Sequence, residues 1–270
     1  MRLGLGSFAY AWSIGVGGRQ PADPLTALGL VELAARLGVG LVEMDDNLPL
    51  HTLPSDELDA LQVQAASLGV GIRVGARGSD PALLRRYLDL ATRFGSPIVR
   101  TVMDTATHRP SMDELCAAWR PLLPAYEERG VILAVENHDR FRARELIRLM
   151  QRLDSAAVGI CLDTANSFGA LEGPDVALPA LAPWTVHLHL KDFTIARANE
   201  NMGFVVQGCP TGQGLLDVPW VLALLHSHGR DPDAIIELWP APEPTLEATI
   251  AKERRWAEES MAYMRRLLPG

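Results

Sequence analysis

VILAVENHDRF, residues 131–141, opens as a run of aliphatic side chains and ends on Glu136, Asn137 and His138 in succession. The run reads as a buried strand. A carboxylate at the edge of an apolar core is costly unless something pairs with it, so the stretch predicts partners for Glu136 elsewhere in the chain. Comparable runs recur along the sequence: LGLGSF (3–8), GVGLVEMD (38–45), GVGIRVGA (69–76), PIVRTV (97–102), VGICLD (158–163), TVHLHLKD (185–192) and AIIELW (234–239). Amphipathic stretches separate them, among them SDELDALQVQAASLG and DPALLRRYLDLATRFG. Several open on Asp, Ser or Pro and close on Gly, as helix caps do. Prolines in SMDELCAAWRPLLPAYEERG predict a broken helix, and EPTLEATIAKERRWAEESMAYMRRLL reads as one closing helix. Strands that alternate with helices eight times predict an α/β fold, a (β/α)8 TIM barrel forming a single domain over residues 1–270. An open doubly wound sheet competes, but no Gly-rich phosphate turn follows the first strand. The N-terminus has the basic start and apolar middle of a signal peptide; the barrel claims the same residues as its first strand.

The 270 residues are 48% hydrophobic, enough for a large core. The net charge is −8 and no Lys/Arg run occurs, which speaks against nucleic acid as a partner. Cys116, Cys161 and Cys209 are far apart and in no metal-binding spacing. They predict a reducing, cytoplasmic location without disulfides. No apolar run is long enough to span a membrane, so no membrane partner is expected.

Alternation along each strand separates two faces. Val131, Leu133 and Val135 oppose Ile132, Ala134 and Glu136; Ile160 and Leu162 oppose Cys161 and Asp163. Val186, Leu188 and Leu190 oppose His187, His189 and Lys191; Ile236 and Leu238 oppose Ile235 and Glu237. The aliphatic faces are expected to pack on helices and the others to point into the barrel, whose strand C-termini carry active sites. Glu136, Asp163, His189 and Glu237 are thereby predicted to converge from four consecutive strands. Converging carboxylates repel one another, and a divalent cation removes that cost. Three carboxylates and an imidazole suit Mn²⁺ first, with Mg²⁺, Co²⁺ or Zn²⁺ as alternatives. The competing reading is a set of separate ion pairs with Arg73, Arg100 and Lys191. Glu43 ends its strand on the inner face, as a substrate contact or a support for a ligand. Arg73, Arg100, Lys191, His138 and His187 are further candidates for substrate contact or support. Tyr10, Trp12 and Trp239 are candidate pocket walls, and GCPTGQG (208–214) is expected to lie over the mouth. Counted with a divalent ion, Glu43, Glu136, Asp163 and Glu237 against Arg73, Arg100 and Lys191 leave a slight positive surplus, which favours an anionic substrate.

VENH (135–138), CLDTANS (161–167), HLHLKD (187–192), GCPTGQG with DVPW (217–220), and IIELW (235–239) together make the chain resemble the xylose isomerase-like TIM-barrel superfamily, in its sugar-phosphate isomerase/epimerase and keto-sugar 3-epimerase branch. The resemblance covers essentially the whole chain. It implies metal ligation by Glu136, Asp163, His189 and Glu237, and a small carbohydrate as substrate; a homo-oligomer is left open. It also implies isomerase or epimerase chemistry next to a carbonyl, with Glu136 and Glu237 as the proton-transferring pair across an enediolate. The sequence departs from the epimerase pattern at Asn166, a substrate-contacting position where the family carries His. Asn can hydrogen-bond but cannot shuttle a proton. The alternative is therefore a metal-dependent lyase, decarboxylase or dehydratase acting on a keto-sugar or sugar acid. An abasic-site endonuclease, which the superfamily includes, would need additional His ligands that are missing here. A non-enzymatic binding barrel would not need the ligand set.

Overall fold

The computed structural model describes residues 1–198 and 202–268. The barrel strands are β1 (Leu3–Gly6), β2 (Leu41–Met44), β3 (Gly71–Arg77), β4 (Ile98–Val102), β5 (Ile132–Glu136), β6 (Val158–Asp163), β7 (Thr185–Leu190) and β10 (Ala234–Ile236). They are parallel and close in the order β1-β10-β7-β6-β5-β4-β3-β2. The N-terminal stretch is thus a barrel strand paired on both sides, with β2 and β10. Between β7 and β10 the chain adds an antiparallel hairpin outside the barrel, β8 (Asp192–Arg197) and β9 (Phe204–Cys209). The sequence patterns do not announce it. Most of its residues away from the barrel are exposed on both faces, so they carry no apolar alternation.

Helices pack outside: α1 (Ala11–Ile14), α2 (Ala27–Arg36), α3 (Ser55–Leu68), α4 (Pro81–Phe94), α5 (Met112–Trp119), α6 (Leu123–Glu128), α7 (Ala143–Leu153), α8 (Pro174–Leu181), α9 (Val218–Ser227) and α10 (Leu246–Leu267). Their ends follow the capping residues. Asp80 accepts from Ala82 N and Leu83 N, Pro81 starts α4, and Gly95 ends it at φ +65°. Ser111 and Glu114 form a capping box on α5. The break expected near the prolines separates α5 from α6.

Leu133, Val135, Ile160, Leu162, Leu188, Leu190 and Ile236 join the helix-facing core, as alternation predicts. Inside the barrel, Ile98, Ala134 and Cys161 form a separate small cluster with Ile132 and Val186 against it. Val186 is a correction: a register shift at Ile160/Cys161 puts an extra residue on β7 and turns this side chain inward. Arg73 also departs from expectation. Its Nε donates to Asp233 Oδ2 at 2.9 Å, and Arg2 Nε reaches Asp233 Oδ1 at 3.1 Å. This ionic plug lies at the N-terminal ends of β1 and β10, away from the strand C-termini.

Candidate active site

Two barrel rungs organise the site. Asp163 and His189 are directly paired between β6 and β7, and Glu237, one step beyond β10, stays in register through its N–H to Leu190 O at 3.1 Å. His189 Nδ1 lies 3.4 Å from Glu136 Oε2 and 3.3 Å from Glu237 Oε1. Glu136, Asp163, His189 and Glu237 all have no exposed surface. Glu136 and Glu237 thus both approach His189, and Asp163, its neighbour in register, is linked to Glu237 through Lys191.

Each is held by neighbours. Asn137 clamps the ends of β5 and β6: its Oδ1 accepts from Asp163 N at 2.7 Å, and its Nδ2 donates to Asp163 O at 2.8 Å and Ser167 Oγ at 2.9 Å. Asp163 Oδ1 accepts from Ala165 N and Asn166 N, both at 2.8 Å. Glu136 Oε2 accepts from Arg100 Nε at 2.5 Å, and Oε1 accepts from Asn166 Nδ2 at 2.7 Å. Burial works to raise the Glu136 carboxyl, but Arg100, then His189 and Lys191, hold it well below the usual carboxylate range. Lys191 Nζ stands 2.7 Å from both Asp163 Oδ2 and Glu237 Oε2, and 3.4 Å from Asn166 Oδ1. Burial would lower that ammonium; Asp163, Glu237 and Glu136 outweigh it and keep it charged. The ion-pair alternative is thus partly realised, with Arg100 on Glu136 and Lys191 on Asp163 and Glu237.

Glu43 lies behind His189. Its Oε1 accepts from His189 Nε2 at 2.8 Å, and Oε2 is bonded to His187 Nε2. Burial works to raise Glu43, but His187 and then His189 hold it well below its ordinary value. Glu43 and His187, candidates for substrate contact, occupy one another and His189. His138, at the rim, pairs with Asp139, Nδ1 to Oδ2 at 3.0 Å. Two acids of the site carry weak sequence signals. Asp45 shares inner parity with Glu43 and is fully buried, and burial, opposed by Arg100, pushes its carboxyl well above the usual range. Asp192 accepts from the backbone N–H groups of Phe193, Gly212, Gly214 and Leu216. With Thr211 N donating to Ser260 Oγ, this fastens the 208–214 loop against α10, while Gly208 at its start lies against Trp239 of the cleft wall.

The donor set fits a divalent cation. His189 Nδ1, Glu237 Oε1 and both oxygens of Asp45 are buried without a hydrogen bond, while Asp163 Oδ2 and Glu237 Oε2 are each engaged by the Lys191 ammonium at 2.7 Å. The Lys191 ammonium stands between two of these carboxylates as a cation would. Because Glu43 takes the Nε2 side of His189, Nδ1 is the ring nitrogen turned to Glu136 and Glu237, the usual arrangement of a metal-binding imidazole. Cys161 also comes within ligand distance of Glu136 and His189, which the expectation of a site without Cys did not include. Burial pushes its thiol up to about 12.

A cleft of about 350 Å³ opens above Lys191 and Asn166, walled by Phe8, Phe168, Val206 and Trp239. Val206 belongs to the hairpin, which therefore forms part of the mouth. Trp12 ties α1 to the segment after β10 through Nε1 to Pro240 O at 3.1 Å, and Tyr10 is packed in the core. A larger cleft of about 540 Å³, between the loops before α2 and before α3, has Glu57 as its one ionisable lining residue. It is lined by neither Lys191 nor Asn166, the residues that touch the converging acids, so the smaller cleft is the candidate active site.

A family model described as a xylose isomerase-like TIM barrel matches residues 31–267. The chain belongs to this family. Within the xylose isomerase-like family, a relative from Pectobacterium atrosepticum, 3-oxo-isoapionate decarboxylase, is 33% identical over 264 residues, covering 98% of this chain and 95% of the relative. Among solved structures, a xylose isomerase-like TIM barrel protein from Mycobacterium smegmatis in complex with magnesium superposes with a TM-score of 0.73 at 16% identity, covering 97% of both chains. D-psicose 3-epimerase in the presence of D-fructose superposes equally well, TM-score 0.73, at 16% identity over 100% of both chains. At such identities the structural likeness speaks for the fold alone. Among the described residues, no helix is long and apolar enough to cross a membrane.

Proposed function

We propose that this chain is a metal-dependent decarboxylase of a 3-oxo sugar acid. The observation that carries this reading is the state of Glu136. Both of its oxygens are committed, Oε2 to Arg100 and Oε1 to Asn166, whereas Glu237 Oε1 has no donor. Epimerisation needs two carboxylates that exchange protons on opposite faces of the substrate. Decarboxylation of a 3-oxo acid needs a ketone oxygen that takes up the electron pair of the breaking C–C bond, and one proton delivered to the carbon that CO₂ leaves. One carboxylate with an open oxygen, as Glu237 has in Oε1, suffices for the second. The relative with decarboxylase activity, similar over nearly the whole chain, supports the same choice, and so does Asn166, which offers no proton.

In this reading Glu136, Asp163, His189 and Glu237 hold one divalent ion, Mn²⁺ foremost among Mg²⁺, Co²⁺ and Zn²⁺. When bound, the ion supplies Lewis-acid stabilisation to oxygens of the substrate. Glu237 governs the proton. Lys191 and Asn166, at the floor of the cleft, bind substrate oxygens; Arg100 orients Glu136 and His138 closes the rim. Glu43 and His187 act through His189. With Arg73 at the far end of the barrel the charges counted from the sequence balance, so the choice of an acid substrate is supported by the decarboxylase relative and not by that count. The three free, buried cysteines suit a cytoplasmic protein, and the substrate is a small carbohydrate.

Sugar epimerisation is the second reading, favoured by the nearly equal approach of Glu136 and Glu237 to His189 Nδ1. Mass spectrometry on 3-oxo-isoapionate, other 3-oxo sugar acids and neutral keto-sugars separates the two. Release of CO₂, with one deuteron in the product formed in D₂O, is the expected result. A product of unchanged mass from a neutral ketose would replace decarboxylase by epimerase.

A further inference from the structure

Asp45 follows β2 on the inner face and has no exposed surface. Its backbone is fixed: Asp45 N donates to Ser7 Oγ at 3.0 Å, and that hydroxyl donates to Asn47 Oδ1 at 2.5 Å. Its carboxylate is not fixed by any hydrogen bond. Both oxygens are buried and unpartnered, and the nearest cation, Arg100 Nη1, stands 3.6 Å from Oδ1. The hydrogen bonds of that guanidinium go to Glu136, Asp46 and Ala76 O. A structural aspartate in such a position would be satisfied, since leaving a buried carboxylate unpaired is costly. The chain even clears space for it. A Cβ at Gly75, on the neighbouring strand, would fall 1.8 Å from Asp45 Oδ1.

The free carboxylate points at the site. One ligand atom each from Asp45, His189 and Glu237 lie within 4.8 Å of one another, a spacing that one cation can bridge. In the closed order of strands, β2 stands across the barrel from β6, which carries Asp163. Asp163 Oδ1 is taken by two backbone N–H groups and Oδ2 faces Lys191, whereas on the opposite side both oxygens of Asp45 are without a partner. We propose that Asp45 is a fifth protein ligand to the divalent ion, reaching it from β2. This rests on the reading that the site binds such an ion.

Calorimetric titration of Mn²⁺ into chelator-stripped protein, with thermal unfolding of the same samples, tests it. Wild type is expected to bind one Mn²⁺ per chain, and Asp45→Asn to bind it about tenfold or more weakly, the scale on which ligand supports alter metal affinity. Without metal, Asp45→Asn should unfold at a higher temperature than wild type, because one crowded buried carboxylate is gone; in saturating Mn²⁺ the order should reverse. A purely structural Asp45 would lower the unfolding temperature in both conditions. Asp45→Ser, which removes the carboxylate and leaves a smaller side chain, should also weaken Mn²⁺ binding, and it decides the matter if Asp45→Asn does not fold. Wild-type protein that binds none of Mn²⁺, Mg²⁺, Co²⁺ or Zn²⁺ would overturn the ion reading together with this proposal. Wild-type binding with an unchanged affinity in Asp45→Asn would overturn the role of Asp45 alone.

Discussion

Glu43 Oε1 takes the Nε2 side of His189 and so turns Nδ1 toward Glu136 and Glu237. Glu43→Gln presents an amide that can donate as well as accept, and the ring loses its single preferred orientation. Affinity for Mn²⁺ should fall by about 10- to 100-fold, the usual effect of disturbing such a support; calorimetric titration that finds it unchanged would remove Glu43 from this role. Asn137 is a second residue with a sharp expectation. Asn137→Ala strands the N–H and C=O of Asp163, and three hydrogen bonds go with it. Urea unfolding should show a loss of about 2–4 kcal/mol, and a variant as stable as wild type would mean that the strand ends need no clamp. At this scale the sequence is legible where the signal is local. The inward direction of Glu136, Asp163, His189 and Glu237 follows from two-residue alternation alone. The pairing of Arg100 with Glu136, or of Glu43 with both imidazoles, depends on which strands become neighbours when the barrel closes. No spacing along the chain encodes it.

Among the elements, α1 depends on α10 for its place. Glu253 of α10 accepts from Trp12 N at 2.7 Å, Ser13 N at 2.9 Å and Ser13 Oγ at 2.7 Å. Burial pushes its carboxyl from 4.5 up to about 7, partly offset by the Trp12 and Ser13 hydrogen bonds and by Arg254. A raised acid holds its proton in the folded chain over a pH range where the unfolded chain has released it. Its contribution is therefore most favourable below about 4.5 and declines as pH rises to about 7. The full change is on the order of 3 kcal/mol. Glu253→Gln should flatten that part of the stability–pH curve relative to wild type, as read from urea midpoints between pH 4.5 and 7; parallel curves would show that Glu253 does not titrate there. The barrel strands were readable because one face of each is aliphatic throughout. The hairpin β8–β9 was not, since its outer part faces water on both sides and its pairing is between backbones. The loop at 208–214 is readable as a loop, but its anchoring is not, because Asp192 and Ser260 fix it through contacts distant in sequence.

For the whole molecule, metal binding should register as stability. The acids that repel one another in the site are spread over β2, β5, β6 and β10, so a cation drawn to them ties distant strands together. At about 100 times its Kd, Mn²⁺ should add about 2.7 kcal/mol, or about 5–10 °C in Tm for a domain of this size. Chelator should reverse the shift in a thermal scan, and a Tm indifferent to Mn²⁺ at that excess would count against a site assembled from several strands. The gross architecture was legible because eight β–α alternations leave few topologies, and net charge rightly carried no information about it. The acid surplus of the interior was not legible, since Arg73 is removed to the far end by Asp233 and Asp45 enters through parity with Glu43.

The cleared space beside Asp45 has an implication for how this barrel can drift or be re-engineered. On β3, Ile72 and Val74 face a helix layer that can repack around a methyl group more or less, whereas Gly75 faces a carboxylate with no room for even one carbon. A saturation library across Gly71–Ala76 should therefore show a sawtooth: graded tolerance at the outward positions and rejection of every side chain at Gly75. The most permissive-looking residue of the strand would be its least replaceable.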